Sequence, residues 1–384
     1  MLPAICSCPG SMDPTHILIR GVNWLGDAVM TTPALARLRE ALPRCRITLL
    51  TPSGLADLWL DHPSLDAVMT FQPGESPMQL GRRLRSEGFD CALILPNSPR
   101  SALEMWAARI PRRIGLRHPW RNLLLTERVP PRPGDTPMRK RGEEEIRRLT
   151  SGSDMVTPPT YPPGAHHVHH YLHLASRLGA DPAPLAPHVV VSEEEVASFR
   201  QAWIPTAAAK TQWLLINPGA AYGSAKRWPE ERFAEAVRAW HAETGSGCMI
   251  TGGPSETELA GTLAQRLADQ GVDPVLNLAG RTRLRELCVA LATARVVLTN
   301  DSGPMHLAAA LDTPVVAIFG STAPELTGPG HPEDPAPHQL LRQATPCAPC
   351  FRRECPIDRR CLTRVTVAQV VDALRRAWPG AHAR

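Results

Sequence analysis

Residues Asn300 to Thr322 read NDSGPMHLAAALDTPVVAIFGST. A polar turn, Asn300-Asp301-Ser302-Gly303, separates the apolar run Val296 to Leu298 from a helical segment, Pro304 to Leu311. A second buried-type strand, Val315 to Phe319, follows. Strand, glycine-bearing turn, helix, strand is a βαβ unit, and its turn lies at the carboxyl end of a strand. Open α/β sheets bind ligands there, and backbone N–H groups at a helix amino end attract phosphate. The alternative is an ordinary βα turn with Asp301 or Ser302 capping the helix.

Outward from this unit the alternation continues. The second half reads as strands at Trp213 to Asn217 and Cys248 to Thr251, with helices at Glu231 to Thr244, Glu256 to Gln270, Leu284 to Ala292 and Val367 to Trp378. The first half reads as strands at Ile17 to Arg20, Arg46 to Leu50, Ala67 to Thr70, Cys91 to Leu95 and Arg113 to Gly115. Helices at Ala28 to Leu42, Leu55 to Leu60, Met78 to Glu87 and Ser101 to Arg109 lie between them. Such alternation implies parallel, doubly wound sheets. Residues 130–165, rich in Pro and Gly and carrying the charge run Arg139 to Arg148, read as a loop or insertion. The expected division is an extension to residue 15, a first domain 16–185, a linker 186–210, a second domain 211–365 and a terminal helix 366–384. Met12 is a candidate start, and Leu2 to Cys6 only faintly resembles a lipidation box.

The 384 residues carry a net charge of +5, and 43% are hydrophobic. That suits two cores and is too mild a charge to argue for nucleic acid, although an anionic small molecule or headgroup fits. No apolar run reaches the ~18–20 residues of a membrane span. Among 42 basic residues only Lys140, Lys210 and Lys226 are lysines. The scarcity gives each some weight.

Three glycine-bearing loops follow strands. RGVNWLGDAVMTTPA (20–34) spaces Gly21 and Gly26 as a P-loop does, but Asp27 stands where that loop has its Lys, and a carboxylate repels polyphosphate. Asp27 is then either a general base toward a hydroxyl or a cap for the helix expected from Ala28. NPGAAYGSAKRWP (217–229) offers close backbone approach, the Ser224 hydroxyl and the point charge of Lys226, or it is a solvated surface loop. TGGPSE (251–256) puts Glu256 where ribose hydroxyls can donate to it, or it merely starts a helix with acidic first-turn residues.

Cys347, Cys350, Cys355 and Cys361 lie within fifteen residues. They are candidate ligands of a structural zinc or an iron–sulfur cluster, or else form disulfides or remain thiols. The other six cysteines read as small buried hydrophobes. The run His166 to His173 has no acidic partners at ligand spacing and reads as a solvated helix face.

HILIRGVNWLGDAVMTTPAL, LPNSPRSALEMW, LINPGAAYGSAKRWP, ITGGPSETELA and LTNDSGPMHLAAALDTPVVAIFGST together resemble the heptosyltransferases of lipopolysaccharide core assembly, glycosyltransferase family 9. The resemblance runs from Ile17 to about Leu374. The tail CAPCFRRECPIDRRCL is similar to the heptosyltransferase II branch. The resemblance implies a GT-B fold, two Rossmann-like domains facing across a cleft, with acceptor on the first and ADP-heptose on the second. It implies an inverting displacement that needs no cofactor or catalytic metal, with Asp27 as base. Ser224, Lys226, Glu256, Asp301, Ser302, Gly303 and His306 would hold the donor, and Asn97, Ser98 and Arg100 the acceptor. The acceptor implied is Kdo-lipid A carrying one heptose. The expected location is cytoplasmic, with peripheral contact at the inner membrane through the basic run 139–148 as one option; a solvated charged helix is the other. Three other readings stand beside this one: a related family member that uses another acceptor or nucleotide sugar, a UDP-sugar 2-epimerase, which GT-B enzymes resemble in fold, and a metal-stabilised binding protein built on the cysteine cluster.

Overall fold

A computed structural model of the chain describes residues 13–136, 138–152, 159, 161–334 and 336–378. The candidate start at Met12 and the segment Leu2 to Cys6 lie outside the described residues.

The first sheet holds β1 (His16–Arg20), β2 (Arg46–Pro52), β3 (Ala67–Phe71), β4 (Cys91–Ile94), β5 (Arg112–Leu116) and β6 (Glu127–Val129), in the order β3-β2-β1-β4-β5-β6. The second holds β7 (Trp213–Asn217), β8 (Gly247–Ile250), β9 (Val275–Asn277), β10 (Val296–Asn300), β11 (Val315–Phe319) and β12 (Gln339–Arg342), in the order β12-β11-β10-β7-β8-β9. Every pairing is parallel. Both sheets therefore have the doubly wound order, which reverses between β1 and β4 in one and between β7 and β10 in the other. Ligands bind outside the carboxyl ends of strands at these reversals. β1 opens into the Asp27 loop, β7 into the Lys226 loop and β10 into the Asp301 turn.

The central strands are apolar up to their carboxyl ends because helices cover both faces: β7, β8, β10 and β11 are buried along their whole length. β6, β9 and β12 escape the sequence reading. They are edge or near-edge strands of three or four residues, only partly buried, so no apolar run marks them. The helix expected over 28–42 is two helices, Leu25–Met30 and Thr32–Ala41, broken at Thr31. Inside the expected linker stands an 11-residue helix, Glu193–Trp203, started by a capping box between Ser192 and Glu195. The terminal helix Val367–Ala377 buries Val370, Val371 and Leu374 against the second core. Another apolar core runs through both halves, joining Val29 and Met30 to Met305 and Leu307.

Within the segment read as a loop or insertion, the described stretch 139–150 makes defined contacts. The helix Glu143–Thr150 forms within it. Arg141 N–H donates to the Cys350 carbonyl (3.0 Å), Arg141 Nη1 to the Pro346 carbonyl (3.0 Å), and Arg352 pairs with Glu143 at 2.5 Å. These contacts tie the first half to the cysteine-rich tail of the second. Among the described residues no helix is long and apolar enough to cross a membrane.

Candidate active site

The two halves touch where helix Leu25–Met30 meets helix Gly303–Ala310, and glycine is what lets them approach. A methyl on Gly26 would come within 2.7 Å of His306 Cδ2, and one on Gly303 within 3.0 Å of Leu25 Cβ. The contact brings the Asp27 loop against the Asp301 turn. Around it opens a cavity of about 740 Å³. Its wall includes Asp27, Lys226, Glu256, Asp301, Ser302, Gly303 and His306, seven of the predicted site residues drawn from loops far apart in sequence.

Asp27 is not a helix cap. The helix begins at Leu25 with Trp24 as N-cap and makes no side-chain cap bond, so Asp27 lies in the first turn. Its Oδ1 accepts a hydrogen bond from the Tyr171 hydroxyl at 3.3 Å and lies 3.8 Å from His167 Nδ1. The His167 ring stacks on Tyr171, centroids 5.1 Å apart. Burial raises the Asp27 pKa, and His306, the Tyr171 hydroxyl and Lys226 oppose that rise. A desolvated carboxylate held this way is a stronger base than one in water.

The helix that carries Tyr171, Val168–Ala175, is not the solvated face the histidine run suggested. His166 and His169 are buried. His166 Nδ1 accepts from the Val168 N–H (3.3 Å) while Nε2 faces the Gly328 carbonyl (3.0 Å). This pair of contacts suits one neutral tautomer, and burial pushes its pKa down to about 3. His170 faces Asp135 at 3.7 Å. The helix itself was expected; its burial and its role were not, because its acidic partners, Asp27 and Asp135, come from other segments.

From the second half, Lys226 Nζ lies 2.6 Å from Asp301 Oδ2, which also accepts from Thr322 Oγ1 at 2.5 Å. Buried Asn300 fixes the two loops together. Its Oδ1 accepts from Trp228 N–H (2.9 Å), and its Nδ2 donates to the carbonyls of Pro218 (2.8 Å) and Gly219 (3.2 Å). Ser302 is N-cap of helix Gly303–Ala310 without capping it through its side chain; its Oγ instead meets Asn217 Nδ2 (3.3 Å) and Thr299 Oγ1 (3.2 Å). His306 is buried, and burial lowers its pKa to about 4 against the pull of Asp301 and Asp27, so it is neutral at pH 7. The Glu256 carboxylate accepts from Gly253 N–H at 2.9 Å and lies over Gly219, in space a side chain there would fill. Ser224 is not in the wall; it opens the short 3-10 turn, Ser224–Lys226, that carries the lysine.

Tyr222 is a wall residue that the sequence did not single out. Arg353, from the cysteine-rich tail, and Lys226 both lie over the Tyr222 ring, at 5.3 and 4.9 Å from its centroid. The Tyr222 hydroxyl donates to the Phe351 carbonyl (2.9 Å), and the Ala225 N–H to that of Arg353 (2.9 Å). The tail thus props the Lys226 loop. Lys140 and Met138, from the presumed insertion, also face the cavity.

Asn97, Ser98 and Arg100 do not line it. Ser98 caps helix Pro99–Ala107 and Arg100 is held by Glu104, while Asn97 Nδ2 reaches His170 Nε2 at 3.4 Å. The tail cysteines are not arranged as metal ligands: among the described residues no group of His, Cys, Asp or Glu could hold an ion. All four are free, and Cys347 and Cys350 pack as apolar groups against Ile146. Burial raises the thiol of Cys361 to about 12.

The family model of glycosyltransferase family 9 (heptosyltransferase) matches residues 139–360. Lipooligosaccharide heptosyltransferase 2 of Haemophilus influenzae is 28% identical over 82% of this chain and 86% of its own. Lipopolysaccharide heptosyltransferase 2 of Escherichia coli is 29% identical over 82% and 85%. The solved structure of the E. coli ADP-heptose lipopolysaccharide heptosyltransferase II superposes with a TM-score of 0.72 at 26% identity, covering 94% of this chain and 98% of that one.

Proposed function

The chain belongs to glycosyltransferase family 9, and we propose that it transfers a heptose from ADP-heptose to the inner-core heptose of lipid A–linked oligosaccharide, as a heptosyltransferase II. The observation that carries the mechanism is that one cavity gathers Asp27 from the first half with the Lys226–Asp301 pair of the second.

The roles follow from charge. As the bond from the anomeric carbon to the phosphate oxygen breaks, ADP gains negative charge. Lys226, Arg353 and the amino end of helix Gly303–Ala310 face that charge and stabilise it without reorganising. Asp301 and Thr322 fix where the ammonium sits. Glu256, beside Gly219 and Gly252, suits a ribose diol. Neutral His306 adds no charge but fills the contact beneath Gly26. From the other wall the acceptor hydroxyl attacks as Asp27 takes its proton, so entry and departure lie on opposite faces of the sugar and the configuration inverts. Tyr171 and His167 hold that carboxylate in place. Asn97, Ser98 and Arg100 have no cavity contact, so acceptor contacts fall to residues such as Lys140, whose charge suits an anionic oligosaccharide. A lipid-linked acceptor puts the enzyme to work at a membrane surface, on the side that supplies ADP-sugars, the cytoplasmic face.

The test is to incubate the protein with ADP-heptose and Kdo-lipid A carrying one heptose, and to weigh the glycolipid. Gain of one heptosyl unit is expected, with none on acceptor lacking heptose. Gain only on the heptose-free acceptor would reassign the chain to the first heptosyl transfer. No gain on either would remove the substrate assignment.

A further inference from the structure

The loop between β5 and β6 carries two large apolar side chains that nothing covers. Trp120 and Leu123 are each 90% exposed. Together they present on the order of 300 Å² of apolar surface, about the size of the largest patch on a typical monomer and often functional. The loop is held firmly. Arg121, fully buried between them, donates from Nη1 to the Pro96 carbonyl (2.7 Å). His118 N–H donates to Asn122 Oδ1 (3.0 Å), and Arg128 Nε to the Asn122 carbonyl (3.0 Å). Trp120 itself has φ +68, a strained conformation for a bulky residue. The fold therefore spends strain to hold an indole out in water.

The surroundings are basic. From Met105 to Thr126 the chain has no acidic residue, while Arg117, His118 and Arg128 are exposed beside the two apolar side chains. Tryptophan with leucine inside a basic rim is the composition that settles at the headgroup level of anionic bilayers. The position fits as well. Arg20, Ile94 and Gly115 align across β1, β4 and β5, so this loop leaves the same edge of the sheet as the Asp27 loop, two strands away, roughly 10 Å. In the run Arg139 to Arg148, the other basic stretch, Arg139 pairs with Glu145 at 2.5 Å and Arg141 is bound to the tail, and no large apolar side chain there is as exposed as Trp120 or Leu123.

We propose that Trp120 and Leu123 enter the surface of an anionic bilayer, with Arg117 and Arg128 on its headgroups, and so bring the cavity to a lipid-linked acceptor. Only the link to the acceptor rests on the heptosyltransferase reading; bilayer binding is measured without either substrate. The probe is vesicles of phosphatidylethanolamine and phosphatidylglycerol, with phosphatidylcholine vesicles as the neutral arm. Co-sedimentation should occur with the first, weaken with salt, and fall at least tenfold in Trp120→Ser/Leu123→Ser and in Arg117→Glu. Both variants should keep the parent melting temperature and should release ADP at the parent rate with a deacylated, water-soluble acceptor. Failure of the parent to bind anionic vesicles, or undiminished binding by both variants, would overturn the proposal. So would a dimer of the parent in sedimentation velocity that the double variant loses, since the patch would then serve a second copy. Loss of ADP release by the parent itself would sink the transferase reading while leaving the bilayer result standing.

Discussion

Tyr171→Phe removes one hydroxyl and keeps the buried ring, so it isolates the bond to Asp27. A hydrogen bond to a charged group contributes roughly 1.5–3 kcal/mol. At 3.3 Å this one belongs at the lower end, ~1.5 kcal/mol. Each ~1.4 kcal/mol of preference for the carboxylate over the acid is one pH unit. The bond favours the carboxylate, which is the form that accepts a proton from the acceptor. Burial already raises the Asp27 pKa, and loss of the bond raises it further. Activity, present above that pKa and lost as pH falls through it, should therefore lose its acidic limb about one pH unit earlier. The assay is kcat/KM for ADP release against pH, with melting temperature as the control for folding. Expected are a limb moved upward and a plateau within about threefold of the parent, a threefold change being under 1 kcal/mol. An unmoved limb with a lowered plateau would refute the reasoning, because Tyr171 would then support the wall and not the charge.

Three further outcomes follow from the same geometry. Arg20 and Glu104 form a buried pair at 2.8 Å, 2% and 0% exposed; Glu104→Gln should cost ~3–5 kcal/mol in urea unfolding by stranding the Arg20 charge, and a cost below ~1 kcal/mol would contradict the pairing. Gly219→Ala should raise the donor KM at least ~10-fold, or ~1.4 kcal/mol, by displacing the Glu256 carboxylate, while the melting temperature stays put. An unchanged KM would separate Glu256 from the donor. His166 and His306, with pKa values of about 3 and about 4, stay neutral when folded but titrate near 6.5 when unfolded. The folded state thus binds fewer protons as pH drops below 6.5, and each ring costs up to about 1.4 kcal/mol per pH unit until its folded pKa is reached. Chemical denaturation at pH 7, 6 and 5 should show the decline, and His166→Asn should flatten part of it.

The sheet cores were legible because parallel strands buried on both faces leave unbroken apolar runs, as in Val315–Phe319, whose bounds the reading matched. The edge strands β6, β9 and β12 left no such trace. The capping box at Ser192 and Glu195 was readable and would have found the helix inside the expected linker. Of the candidate site, the residues on glycine-bearing turns after central strands, Ser224 excepted, gathered in the cavity, because strand ends at an order reversal converge. What stayed hidden was contact across the chain. Tyr171 reaches Asp27 from 144 residues away, and Arg353 reaches Tyr222 from the tail. Neither spacing leaves a local pattern. The cysteine cluster left zinc, disulfides and free thiols open by spacing alone; the fold has free thiols, and Cys347 and Cys350 turn into apolar packing.

The central claim is that Asp27 takes the acceptor proton across from a donor site that does not depend on it. The direct measurement is ADP release by Asp27→Asn with ADP-heptose and singly heptosylated Kdo-lipid A, beside its ADP dissociation constant by calorimetry. The account predicts a fall in kcat of ~10²–10⁴-fold with ADP affinity within about threefold of the parent. Turnover at the parent rate would contradict it, as would a loss of ADP affinity that matches the loss of rate.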